Sequence, residues 1–401
     1  MARFLTVVPV DEAVRAAVDL GRQVGTEMVP LEEAAGRVLA ADVHADADLP
    51  GFARSTVDGY AVRAAETVGA SEALPSLLRL RGMVAMGAGA GFTLGPGECA
   101  YVPTGGEVPA GADAVAMVEY AEPLGNDVLI GRPVAIGENL VLPDEDFAAG
   151  EVVVRAGRRL SPQEVGALAA VGRTGVEVRR RPVIGVISTG NEVVPVDVVP
   201  ARSQVRDVNS HLCRAFALER GCETRFYGIV RDETGPLRDT LVRAASECDA
   251  VLVSGGSSKD DRDMGARTIA ELGEVLVHGI ALAPGKPTII GRVHTTPVIG
   301  LPGHPASSFV VLSVIAAPLI AVLSGDTTDR SRRVRGRLAE NVPSARGRED
   351  YIRVTASAGE VRPIFAKSGL LNSLVRADGL LRVPAGREGF ETGDEVEVFL
   401  F

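Results

Sequence analysis

After Arg179-Arg180-Arg181-Pro182 the chain repeats one pattern: a short apolar run, a glycine-bearing turn, then a helix-length amphipathic stretch. Val183–Ile187 leads into Ser188-Thr189-Gly190-Asn191, while Ala250–Val253 and Thr288–Ile290 are each followed by a glycine-rich turn. Leu212–Arg220 and Thr234–Ala245 carry helical periodicity between the runs. Strands alternating with helices predict a doubly wound α/β domain, whose ligands bind beyond the carboxyl ends of the strands. No other feature narrows the fold as far.

The flanks read differently. Val10–Gly21 sets Val10, Ala13, Val14, Ala17 and Val18 on one helical face, and Leu31–Leu39 reads as a second helix with Glu32 and Glu33 in its first turn. From about Leu49 to Gly150, short apolar runs (Val84–Met86, Cys99–Val102, Ala114–Val118, Val128–Ile130) alternate with Gly and Pro, as in a small β domain. Ser161–Val171 reads as a helix with Ser161 as N-cap, Pro162 first and Glu164 third. After Asp326, Val334–Leu338, Tyr351–Thr355 and Glu395–Leu400 indicate a second β domain. At 401 residues the chain suits two to four domains. The expected class is α/β plus β: a central doubly wound domain (179–326), flanking β domains (49–137 and 327–401), and an N-terminal helical linker domain (1–48 with 138–178).

Composition excludes several functions. Net charge is -10, Trp is absent and aromatics make up 4%, which argues against a nucleic-acid surface or base-stacking platform. An anionic substrate therefore needs local cations and backbone amides. Phe309–Leu323, with Ser313 and Pro318, reads as a buried helix rather than a membrane span. The N-terminus lacks the pattern of a signal peptide, so a cytoplasmic location is expected. Cys99, Cys213, Cys222 and Cys248 show no CxxC spacing and read as buried free thiols.

Four segments carry candidate chemistry. Ser254-Gly255-Gly256-Ser257-Ser258 ends a strand with amides and hydroxyls suited to an anion, or forms a purely structural turn. Lys259-Asp260-Asp261-Arg262-Asp263 is either a solvated charged loop or a Mg²⁺ site, since one or two carboxylates hold that ion beside phosphates. Pro284-Gly285-Lys286-Pro287 is a stiff loop with a point charge for an oxyanion. Gly300–Ser308 precedes the apolar helix, whose first amides and Ser307 hydroxyl suit an anion. His304 there reads as an incidental loop histidine, and Asp58 as no more than an Asx turn.

Together these blocks resemble the MoeA/gephyrin molybdopterin molybdenumtransferase family. Ser55–Arg63 (STVDGYAVR) and Val102–Glu119 (VPTGGEVPAGADAVAMVE) are similar to its N-terminal signatures. Ile187–Val193, Val253–Asp263, Ala283–Pro287, Leu301–Ser307, Arg348–Arg353 and Ser368–Asp378 follow in family order. The resemblance implies a homodimer of four-domain subunits with clefts between the α/β domain of one subunit and the β domain of the other. It implies that adenylylated molybdopterin and molybdate are converted, with Mg²⁺, to molybdenum cofactor and AMP. Carried over by position, Asp58, Thr104 and Glu119 belong to the cleft side of the first β domain, with Asp146 at an acidic position in Gly137–Gly150. Asp261 and Asp263 match the metal loop, beside Gly255, Gly256 and Ser258. Lys286, Pro287, Ser307, Arg348 or Arg353, and Ser368 match a molybdate pocket.

The chain departs from the family pattern at four places. Gly137-Glu138-Asn139 is followed by Leu140-Val141-Leu142-Pro143 rather than arginines, Asp260 replaces a glycine, Ala283 replaces a lysine, and His304 replaces an asparagine. Three of these remove positive charge or add negative charge. A non-catalytic scaffold, taking partner peptides near Phe365, Leu370 and Leu371, is the alternative function; tungstate in place of molybdate would use the same pocket.

Overall fold

A computed structural model describes residues 7–255, 259–329 and 331–401, with the side chains of 259–263 outside the description. The chain divides into two units, one of residues 41–156 and 162–175, the other of residues 1–40, 157–161 and 176–401.

The smaller unit is built on a six-stranded sheet in the order Ala114–Met117, Gly59–Val62, Glu98–Val102, Ser76–Met83, Asp127–Ile130, Ala121–Leu124. Gly59–Val62 is buried along its whole length. Tyr60 and Val62 enter one apolar cluster and Ala61 enters another on the opposite face, following the two-residue period of a strand. A Cβ at Gly59 would lie 2.3 Å from the Ala116 carbonyl oxygen, so only glycine lets these neighbouring strands approach. The expected run Val84–Met86 is not a strand: the strand ends at Met83, and Met86 is exposed. Pro162–Ala170 is helical, as expected.

The larger unit contains the α/β domain. Its elements are β1 (Val183–Thr189), α1 (Asn209–Glu219), β2 (Glu223–Val230), α2 (Thr234–Glu247), β3 (Ala250–Ser254), α3 (Lys259–Leu272), β4 (Gly273–His278), β5 (Ile289–Val293), β6 (Thr296–Leu301) and α4 (Pro305–Val311). The sheet order is β2-β1-β3-β6-β5-β4. The first four strands are parallel, and β5 and β4 complete the sheet antiparallel. From β1 the chain crosses to β2 on one side and returns through α2 to β3 on the other. The strand order therefore reverses between β1 and β3, the place where open α/β sheets bind ligands.

Two expectations are corrected here. Lys259–Asp263 is not a loop but the start of α3. Leu31–Leu39 is not a helix: a 3-10 turn covers Leu31–Glu33, Gly36 follows with φ 76°, and Leu39 pairs with Val178. The left-handed glycine ends the helical path, and pairing with the segment before β1 satisfies the backbone instead.

Val10–Leu20 is the expected helix, with Val10, Ala13 and Ala17 buried in the main core beside Leu319 and Leu323. Pro305–Ser324 is long and apolar enough to cross a membrane, yet Val310, Leu312, Ile315 and Leu319 lie in that same core. Beyond it, Arg333–Leu338, Glu349–Ser357, Glu360–Pro363, Gly379–Val383 and Glu395–Leu400 pair into a closed ring around Leu338, Val354, Leu381 and Val398. Leu282–Ala283 joins this ring parallel to Glu349–Asp350. That pairing fixes the loop before β5 against the C-terminal barrel.

Candidate functional site

Two adjoining cavities open at the carboxyl ends of β1 and β3. The first, about 290 Å³, is lined by Gly255, Lys286, Pro287, His304, Ser307 and Ser368, with an apolar wall from Leu237, Leu241, Val253 and Ile289. The second, about 660 Å³, is lined by Ser188, Asp207, Asn209, Ser254 and Arg206, among others. Thr189, Gly255, Gly303 and His304 line both.

The Pro284–Pro287 loop owes its path to Gly285, which has φ 136°. A Cβ there would lie 2.9 Å from both Leu282 Cδ2 and Val311 Cγ2. Close packing against α4 thus holds the backbone from which the exposed Lys286 reaches the first cavity. Ser307 is buried on α4, one turn from the Gly303-His304 corner. Ser368 comes from the C-terminal domain, and two contacts seat it: its carbonyl accepts the Ala306 N–H at 3.1 Å, and its Oγ lies 2.9 Å from His304 Nδ1. The Ser308 N–H donates to the His304 carbonyl. At least two of the amides expected to await an anion at this helix start are therefore already partnered.

The second cavity has a different chemistry. Asp207, Asn209 and Ser188 are all buried, and among the described residues Asp207 Oδ2, Asn209 Oδ1 and Ser188 Oγ have no hydrogen-bond partner. The other atoms of the pair near α1 are engaged: Asp207 Oδ1 accepts the Ser210 N–H at 3.0 Å, capping α1. Asn209 Nδ2 donates to Ser254 Oγ and to the Gly303 carbonyl, each at 2.8 Å. Buried polar atoms are satisfied in the great majority of cases, so three orphans on one cavity wall mark a place for a hydrogen-bonding ligand. Asp207 and Asn209 were not singled out in the sequence because β1, the turn into α1 and the end of β3 meet only through the sheet topology. No local spacing announces them.

Gly255, Lys286, Pro287, Ser307 and Ser368 come together at the first cavity. Gly256 and Ser258 lie outside the described residues, as do the side chains of Asp260, Asp261 and Asp263. Among the described residues no group of three or more His, Cys, Asp or Glu side chains gathers as for a metal ion. Neither Arg348 nor Arg353 lines the cavity. Arg348 pairs with Asp350, Nε to Oδ1 at 3.0 Å. Arg353 is buried and donates to the Ala366 carbonyl at 2.6 Å and to Ser373 Oγ at 3.0 Å, bracing the loop that bears Ser368. Burial lowers its pKa.

In the smaller unit Asp58 and Thr104 are one assembly. Asp58 Oδ1 accepts from the Thr104 N–H at 2.7 Å and from its hydroxyl at 3.1 Å. The Val118 N–H donates to the Asp58 carbonyl, placing the exposed Glu119 next along the chain from that contact. Asp58 is thus more than a local turn residue, since it joins two turns 46 positions apart. Asp146 stands exposed on a separate loop, its N–H bonded to the Leu49 carbonyl.

The four cysteines are free. Burial pushes the Cys99 and Cys222 thiols up to about 12 and raises Cys213 and Cys248 as well, which keeps them protonated and inert.

Comparison with known proteins agrees along the chain. Residues 8–172 match the MoeA N-terminal region (domain I and II), residues 185–322 a probable molybdopterin binding domain, and residues 335–401 the MoeA C-terminal region (domain IV). A putative molybdopterin biosynthesis protein of Methanocaldococcus jannaschii is 32% identical over 93% of this chain and 91% of its own. The chain belongs to the MoeA family. The molybdopterin molybdenumtransferase of Bacillus subtilis is 30% identical over 98% of this chain and 94% of its own. The crystal structure of a MoeA molybdopterin biosynthesis protein from Pyrococcus horikoshii OT3 superimposes with a TM-score of 0.87 at 32% identity, covering 99% of this chain and 100% of that one. Membership in the MoeA family places the chain in molybdenum cofactor biosynthesis, and most residues lining the two cavities fall in the molybdopterin-binding match, with Ser368, Gly369 and Leu371 from the MoeA C-terminal match.

Proposed function

We propose that the protein is a molybdopterin molybdenumtransferase, converting adenylylated molybdopterin and molybdate to molybdenum cofactor with release of AMP. The carrying observation is the pair of adjoining cavities, one bearing Lys286, Ser307 and Ser368, the other bearing orphaned acceptors. A tetrahedral dianion fits a cation flanked by hydroxyls. A pterin ring, rich in N–H donors, fits Asp207 Oδ2 and Asn209 Oδ1. Gly255, at the end of β3, borders both and suits a phosphate that links the two.

The donor chemistry of Asp261 and Asp263 fits Mg²⁺, which is held by one or two carboxylates and water. These residues would hold it, and the ion would offset phosphate charge as the anhydride breaks. Lys286 holds the oxyanion by charge, and Pro287 stiffens its loop. Asp58, Thr104 and Glu119, with Asp146, form the opposing side of the cleft in a homodimer, and Gly256, Ser258 and Arg348 are binding residues. In this reading Arg353 acts by bracing the Ser368 loop. Four domains with the boundaries given above, and a cytoplasmic location, complete the proposal.

The test is incubation of purified protein with adenylylated molybdopterin, Mg²⁺ and molybdate, measuring AMP and active cofactor. Turnover is expected, and Asp261→Asn and Lys286→Ala are each expected to abolish it with the fold intact. No turnover by the folded protein rejects the enzyme. Exposed Phe365, Leu370, Leu371 and Val375 favour a second reading, a scaffold that takes a partner's apolar peptide on this C-terminal surface. Peptide binding without AMP release would select it.

A further inference from the structure

A third cavity, about 630 Å³, lies at the edge of the α/β sheet between α1 and β2. Its two long walls follow from local periodicity. Asp207, His211 and Arg214 succeed one another at helical spacing and share the face that α1 and its leading turn present. Opposite them, a regular strand would send Phe226 and Ile229 to opposite faces. A bulge prevents this: Val186 pairs with Phe226 but Ser188 pairs with Ile229, so Tyr227 and Gly228 both stand against Ile187. Gly228 takes φ 94° there. Tyr227 and Val230 accordingly pack into the core, while Phe226, Ile229 and Arg231 line the cavity.

The charges in this cavity are unpaired. Arg214 Nε is buried and has no hydrogen-bond partner among the described residues. Neither Arg214 nor Arg231 has a carboxylate partner among them. Asp207 is held rigidly: its N–H donates to the Val194 carbonyl at 2.8 Å, and its Oδ1 accepts the Ser210 N–H. Its Oδ2 is the orphan, on a residue only 4% exposed. In a chain of net charge -10, two arginines without carboxylates on one cavity mark a place for an anion.

The buried carboxylate decides which anion. Asp207 repels a bare dianion, whereas an anion that keeps a proton donates it to Oδ2. Hydrogen phosphate keeps one at neutral pH, and sulfate has none. We propose that this cavity is a hydrogen phosphate site, in which Arg214 and Arg231 hold the charge and Asp207 Oδ2 accepts the phosphate O–H. Helical side chains lean towards the N-terminus, which carries the Arg214 guanidinium back past His211 towards Asp207. The exposed Asp197 lines the cavity too and sharpens the same demand for a proton. A carboxylate oxygen offers two lone pairs, so Oδ2 can serve this cavity and the second, which Asp207 also lines. The site is separate from the cavity at Lys286 and stands whether or not that cavity takes molybdate.

The experiment is calorimetric titration of the full chain carrying Lys286→Ala, which disables the first cavity, with inorganic phosphate and with sulfate at neutral pH. Phosphate is expected to bind about tenfold or more tightly than sulfate, because only phosphate meets the buried acceptor. Adding Arg214→Ala is expected to weaken phosphate by about tenfold or more. Asp207→Asn still caps α1, and its amide can donate to either anion; it is expected to bind the two alike. Thermal midpoints show that each variant is folded. No phosphate binding, equal binding of sulfate, or an affinity that Arg214→Ala leaves unchanged overturns the proposal. A preference for phosphate that survives Asp207→Asn also overturns it, since a merely structural aspartate would alter stability and not selectivity. Phosphate bound by the wild type but lost in Lys286→Ala would belong to the first cavity and likewise overturn it. Should Asp207→Asn fail to fold, the phosphate-to-sulfate ratio and the Arg214→Ala variant decide alone.

Discussion

Asn209 ties α1 to the ends of two other segments with a single amide group, donating to Ser254 Oγ and to the Gly303 carbonyl. Replacing it with alanine leaves a buried hydroxyl and a half-buried carbonyl without that donor. A buried group left unmet costs about 1–3 kcal/mol. Asn209→Ala is expected to lower stability by an amount in that range, read from urea unfolding, and to weaken binding of the pterin substrate. A variant as stable as the wild type would show that the two bonds are dispensable. Arg353 makes the same point from the opposite side. Its charge made it a candidate for the substrate in the sequence, yet burial and two hydrogen bonds commit its guanidinium to Ala366 and Ser373. The sequence shows a residue's chemistry but not whether the fold has already used it.

At the scale of elements, the loop before β5 depends on Gly285. Gly285→Ala places a Cβ in a left-handed backbone and against Leu282 and Val311. It is expected to cost about 1–3 kcal/mol and to lower the thermal midpoint while displacing Lys286. An unchanged midpoint would mean that the loop relaxes freely. The strands of this domain were legible because Val183–Ile187 and Ala250–Val253 are unbroken apolar runs, and burial on both faces leaves no polar alternation to confuse them. Leu31–Leu39 was not legible. Its apolar spacing satisfies a helix, but Gly36 and the pairing of Leu39 with Val178 depend on a segment far along the chain. The pocket at Lys286, Ser307 and Ser368 was suggested by the family blocks, since each part lies in a recognisable segment. Asp207 and Asn209 carry no such block, and only the reversal of strand order between β1 and β3 brings them to one wall with Ser188.

Across the whole molecule, charge is used against the chain's own average. Net charge is -10, yet Lys286 stands exposed at the cavity, and buried cations elsewhere hold the fold. Arg159 pairs with Asp326 at 2.7 Å and also donates to the Gly36 and Arg220 carbonyls, joining four stretches of the larger unit. Both side chains are buried to about nine-tenths, so removing one partner strands the other. Asp326→Ala is expected to cost about 3–5 kcal/mol, seen as a large fall in the thermal midpoint; a shift of a degree or less would contradict that role. The central claim, however, is that the cavity beyond the carboxyl ends of β1 and β3 is an oxyanion site. The most direct measurement is anomalous diffraction at the molybdenum edge from crystals grown with molybdate. The account predicts a peak between Lys286, Ser307 and Ser368, lost in Lys286→Ala. A well-ordered crystal with that cavity empty, or with the peak confined elsewhere, would contradict it.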